Sequence, residues 1–211
     1  MYRCEAKTVA GFIQQLAVSY VAKGYFFYVT GIIPEEKEPG AIDEKLISRY
    51  GVSLSKWARA RRKRGGMSNV QYLRFERFFV IIATKGEHSF FELEPKFKDI
   101  RRVPIKFSGY SIGYRRGQGS WHPSVRIERG RYLEVKAYFE NLAVHRSAGF
   151  LSEEFHRLPF EPYAPVRQQL LNILRAVNRA RKLAGLELVP LSALRLRRGQ
   201  VQPFEEKRVA A

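Results

Sequence analysis

Residues 69–84 read Asn-Val-Gln-Tyr-Leu-Arg-Phe-Glu-Arg-Phe-Phe-Val-Ile-Ile-Ala-Thr, and two runs within them decide the fold class. Asn69 to Phe75 and Phe78 to Thr84 are dense in β-branched and aromatic residues, which marks both as strands. Working outward, Tyr25 to Ile33 has the same character and reads as a strand covered on both faces. His88 to Glu94, Val103 to Phe107, Tyr110 to Arg115 and Val125 to Glu128 extend the β-rich stretch. Lys85-Gly86-Glu87 reads as a tight hairpin turn, and Gly117 to Pro123 as a glycine-bearing loop. The flanks are helical. Residues 8–22 carry a cap at Thr8, place Phe12, Leu16, Ala17 and Tyr20 near one face, and stop at Gly24. Short helices follow over 41–50 and after a cap at Ser53, the second closed by Gly65-Gly66. Beyond the strands, Arg131 to His145, Leu151 to Leu158 and a long helix over 165–184 predict a helical C-terminal part.

This order predicts an α+β fold. It has a mainly antiparallel sheet of about five to six strands within residues 25–128, packed with helices. The expected division is an α+β core over 1–160 and a helical extension over 161–211 packed on the same core, with a single domain overall as the alternative.

Charge carries the strongest functional signal. The chain has 38 Lys and Arg against 20 Asp and Glu, a formal net charge of +18. Residues 1–55 are balanced at 6 basic and 6 acidic, whereas residues 56–116 hold 16 basic and 5 acidic. The excess starts at Lys56, Arg59, Arg61, Arg62, Lys63 and Arg64, six cations in nine positions with no acid among them and Trp57 inside the run. Such a density repels itself unless a polyanion uses it, so nucleic acid is the expected partner. Arg101-Arg102 and Arg115-Arg116 add phosphate-contact candidates, and Tyr110 and Tyr114 lie on one side of a strand as candidates for base stacking. In the 165–184 helix, Gln168, Asn172, Arg175, Arg179 and Lys182 recur at steps of four and three, opposite the stripe of Leu170, Leu174 and Val177. Asn and Gln match adenine edges and Arg matches guanine edges, so this is a candidate recognition helix and DNA is favoured over RNA.

Catalysis is the competing class. Glu87, His88 and Glu92 are the candidates for a metal-dependent nuclease, the one case that requires Mg²⁺; otherwise neither a metal nor a cofactor is expected. Tyr132 and Tyr138 follow the strands on a helix, a layout over residues 25–150 that is similar to nicking and transfer enzymes of mobile elements. The paired histidines of those enzymes are missing. A component of an RNA particle is a third reading. One cysteine, Cys4, leaves no disulfide framework. The chain shows neither a signal sequence nor a stretch of roughly 20 apolar residues. The expectation is therefore a cytoplasmic or nucleoid-associated protein that is neither secreted nor membrane-bound.

Overall fold

Strand geometry explains why Phe78 to Ala83 is apolar without a break. In the computed structural model, β1 (Phe27–Ile32), β2 (Val70–Phe75), β3 (Phe78–Ala83) and the short β4 (Lys98–Asp99) form a four-stranded sheet in the order β2-β3-β1-β4. All its pairings are antiparallel, and β3 is central, with Ile81 opposite both Val29 and Tyr72. Alternate side chains of β3 therefore go to opposite faces, and both faces are covered. The structure describes residues 2–117, 119–199 and 201–205. Gln118 of the expected loop and residues 206–211 of the expected extension lie outside the described residues.

One face carries α1 (Val9–Gln14), whose N-cap Thr8 accepts a hydrogen bond from Gly11 N (2.9 Å). The helix expected over 8–22 is not uniform. It widens into π-helical turns over Gln15–Tyr20 and closes with a 3₁₀ turn over Val21–Lys23. The buried pairs Phe12/Ile13, Leu16/Ala17 and Tyr20/Val21 repeat every four residues. In an α-helix a strict repeat of four overshoots each turn by about 40°, and the wider turns return Tyr20 and Val21 to the sheet side.

The opposite face is covered by α2 (Pro39–Arg49) and by α4 (Phe90–Leu93), with α3 (Lys56–Arg64) between them in sequence. Tyr50, Val52, Tyr72, Ile81, Ala83 and Phe90 are central to the cluster there. The strand expected over His88 to Glu94 is thus a helical turn. In a strand Phe90 and Phe91 would point to opposite faces; in a helix adjacent residues lie about 100° apart, and both rings reach this cluster. His88 Nδ1 fixes the turn by accepting from Phe90 N (3.0 Å).

A second, three-stranded antiparallel sheet holds β5 (Ile105–Phe107), β6 (Tyr110–Gly117) and β7 (Ser120–Ile127) in that order. The loop expected over Gly117 to Pro123 is mostly strand. Gly119, at φ 85°, turns the chain, and the His122 ring lies where a side chain at Gly117 would stand.

The chain divides into two compact units, residues 1–105, 112–123 and 201–211, and residues 106–111 with 124–200. The second contains α5 (Arg129–Leu142), α6 (Ala148–Arg157) and α7 (Ala164–Leu183). Glu128 caps α5 by accepting from Gly130 N and Arg131 N, and Ser147 caps α6 by accepting from Phe150 N. Phe139 stacks on Phe155 at 3.8 Å. Arg181 of α7 is 2% exposed and donates to the carbonyls of Ala143 (2.6 Å) and Arg146 (2.7 Å), so its charge is spent on the backbone after α5. The fold is therefore α+β with a helical C-terminal part. Among the described residues no helix is long and apolar enough to cross a membrane.

Candidate nucleic-acid interface

Local chemistry places α3 firmly. Its N-cap is Ser55, two residues after the expected Ser53, and the Ser55 hydroxyl accepts from Ala58 N (3.1 Å). The exit turns at Gly66, φ 76°, a left-handed conformation that favours glycine. The following residues then join the sheet. Ser68 Oγ donates to Thr84 O (2.6 Å), and Asn69 N donates to Thr84 Oγ1 (2.9 Å). Asn69 Nδ2 reaches back to Arg59 O (3.0 Å), tying the helix to the start of β2. Gly86 packs so closely on Met67 and Ser68 that a side chain there would meet their backbone.

The six cations of α3 divide into two groups. Arg59 donates to Leu54 O, and Arg62 donates through Nε and an NH2 to Ser68 O (3.3 and 3.1 Å), so both are partly buried clips. Lys56, Arg61, Lys63 and Arg64 are exposed, as is Trp57 at 77%. Among the described residues none of the six lies within ion-pair distance of a carboxylate; the ion pairs elsewhere belong to other cations. Arg61 to Arg64 fill the last turn, where the helix dipole favours positive charge. The dipole lets the helix tolerate the cations but does not neutralise them.

The pairs Arg101-Arg102 and Arg115-Arg116 adjoin a row of aromatic rings that sequence reading did not assemble. Trp121 stacks on Tyr114 with centroids 5.8 Å apart and planes at 13°. Tyr114 packs on Phe26 at 4.8 Å, and the Arg101 guanidinium lies 4.8 Å over the far partner, Phe26. Arg101 is also held by Asp99 in a two-pronged pair (2.9 and 2.6 Å), which leaves it less free for phosphate than Arg102, Arg115 and Arg116, all exposed. Trp121 is 55% exposed. Tyr110 takes no part. It is 1% exposed, and its hydroxyl donates to Pro159 O (3.3 Å) and accepts from Glu161 N (2.7 Å). No local signal marks the row in the sequence: Tyr114 and Trp121 face each other only once β7 is known to start at Ser120.

On α7, Gln168, Asn172, Arg175, Arg179 and Lys182 are all exposed, while Leu170, Leu174 and Val177 are buried. Gln168 Nε2 donates to Asn172 Oδ1 (3.0 Å). The face has the spacing and the exposure that groove reading requires.

The catalytic candidates are not drawn together. Glu87 precedes the α4 turn and Glu92 lies within it, both exposed, and His88 is engaged with Phe90 N. Burial and the charge of Arg62 hold the His88 pKa below its usual value. Among the described residues no three His, Cys, Asp or Glu side chains group so as to hold a metal ion. The Tyr138 hydroxyl donates to Glu154 Oε2 (2.7 Å), and that bond raises its pKa, the opposite of what a nucleophile needs. Tyr132 is half-buried on the same helix.

One buried polar network was invisible in the sequence. Asp43 of α2, 6% exposed, accepts from Arg74 Nε (2.9 Å), from the Tyr72 hydroxyl (2.6 Å) and from Cys4 Sγ (3.4 Å). Burial, then the Asp43 charge, push the Cys4 thiol up to about 12, so it is held as an inert thiol. The network fastens α2 to β2 and leaves no group open to a substrate. Compared with known protein families and with curated proteins, the chain matches none.

Proposed function

We propose that this chain is a nucleic-acid-binding protein, with DNA favoured over RNA, that grips phosphates mainly through α3. The observation that carries the reading is the set of exposed α3 cations without an acidic partner among the described residues, on a helix fixed at both ends by hydrogen bonds. Four fixed, unpaired cations on about two turns form a phosphate track that a merely soluble surface, with mixed charges, does not need. The Trp121–Tyr114–Phe26 row supports a contribution from base stacking, flanked by Arg102, Arg115 and Arg116. The exposed polar face of α7 supports the preference for DNA. A cytoplasmic or nucleoid-associated location goes with this reading.

Binding of labelled DNA and RNA of matched sequence across a salt series tests it. Engagement of roughly six phosphates gives a log–log slope near −5. DNA should bind more tightly than RNA. Affinity that stays flat with salt overturns the reading.

A further inference from the structure

Beside the start of α3 lies a cleft of about 680 Å³, within the roughly 300–1,000 Å³ of small-ligand sites. It belongs to the first unit, and three features single it out. Its charge is one-sided: Arg3, Lys23 and Arg59 line it, and no carboxylate does among the described residues. The π-helical turns bring Gln15, Ser19 and Tyr20 to its wall, and such turns cluster at functional sites. Most telling is Gln71 of β2, only 5% exposed, whose Nε2 lines the cleft with no well-formed hydrogen bond among the described residues and only the Tyr25 hydroxyl beside it. Its Oε1 is little better served. The Tyr2 hydroxyl has one proton and stands 2.7 Å from Tyr72 O but 3.1 Å from Gln71 Oε1, so the backbone takes it. A buried amide without a full set of partners is costly, and a ligand oxygen satisfies it.

The remaining walls fit the same ligand. Burial keeps the phenols of Tyr20 and Tyr25 protonated, so the cleft presents O–H donors. Tyr20 and Tyr25, with rings 5.8 Å apart, give an apolar surface for a base or sugar. Phosphodiesters along a strand carry one charge each and suit the solvent-facing cations of α3. A phosphate monoester carries about −1.5 to −2 and three acceptor oxygens. Three cations, neutral hydroxyl donors and a buried amide match that group.

We infer that the cleft holds a nucleotide by its phosphate monoester. Resting on the proposed function, this makes the occupant the phosphorylated end of a nucleic-acid strand whose backbone runs along α3.

The test uses the full chain and internally labelled single strands with a 5′-phosphate, a 3′-phosphate, or hydroxyls at both ends. A nucleoside monophosphate serves as a separate probe by thermal shift. The variants are the exposed pair Arg3→Ala/Lys23→Ala and, separately, Gln71→Met. One phosphorylated end should bind about tenfold more tightly than the hydroxyl end, and both variants should lose that margin. The exposed pair keeps the test decisive if Gln71→Met fails to fold. Strands that bind with equal affinity whatever their ends overturn the cleft inference and leave the proposed function standing. A monophosphate that binds in an Arg3- and Lys23-dependent way, with no strand binding, keeps the cleft as a site for free nucleotides and overturns the proposed function. Absence of all binding overturns both.

Discussion

The Asp43–Arg74 network and helix α3 use charge in opposite ways. In the network every charge is buried and answered: Arg74 meets Asp43 at 2.9 Å, and Tyr72 and Cys4 donate to the same carboxylate. On α3 four cations stand in water and none is answered within the described residues. The difference separates positions that hold the fold from positions available to a partner. A buried charge without a counter-charge is expensive, so the interior admits charge only in matched sets. A surface charge costs little, so its distribution is free to follow function.

Breaking the network should have the largest effect. Asp43→Ala leaves the Arg74 guanidinium buried and unpaired, with an expected loss of about 3–5 kcal/mol in urea unfolding. Stability unchanged by this substitution would remove one side of the comparison. The complement is Lys56→Ala/Arg61→Ala/Lys63→Ala/Arg64→Ala. Alanine keeps the helix, so the melting temperature should stay within a few degrees, while nucleic-acid affinity falls by about 100-fold and the salt slope flattens by about 3–4. A variant that loses stability but not affinity would reverse the assignment.

Two smaller effects sharpen it. Trp121→Ala removes the exposed end of the aromatic row and should weaken binding of single strands by about 1–3 kcal/mol, with little change for duplex DNA. Equal losses for both would make the row a structural stack only. His88 gives the weakest effect. Its folded pKa lies below the unfolded value of 6.5, so the unfolded chain binds more protons as acid is added. The stabilisation is present above about pH 6.5 and is lost as pH falls through the lower, folded value. Melting temperatures between about pH 8 and about pH 5 should show this decline, and His88→Asn should reduce it.

How far the sequence was legible follows from what each signal depends on. The strands at 69–75 and 78–84, the α7 face and the α3 cations were readable because local composition and period determine them. The His88–Glu94 segment was misread because a pair of adjacent aromatics is compatible with a strand, and only the location of the Tyr50–Ala83 cluster decides that both rings turn one way. Gly117–Pro123 was read as a loop because glycine dominates its start, whereas strand pairing overrode that local preference. The cleft at Gln71 was out of reach. Its walls come from residues 2–3, 15–25, 53–59, 71 and 204, and no spacing rule links them. Asp43 was equally hidden, since an acid in a short helix normally faces water.

The segment before α1 has one further consequence. Cys4 O accepts from Arg74 N and Ala6 N donates to Arg74 O, both at 2.7 Å, so residues 4–6 lie along the outer side of β2. At the other side of the sheet, β4 is only two residues long. Neither margin offers a long row of bare amides to a second molecule, which is the usual route by which sheets polymerise. Crowded together on a polyanion that cancels their mutual repulsion, copies of this chain would lose the protection of charge yet keep that of shape. For the four-stranded sheet, resistance to edge pairing is then supplied by a few residues of backbone, at the moment when +18 no longer provides it.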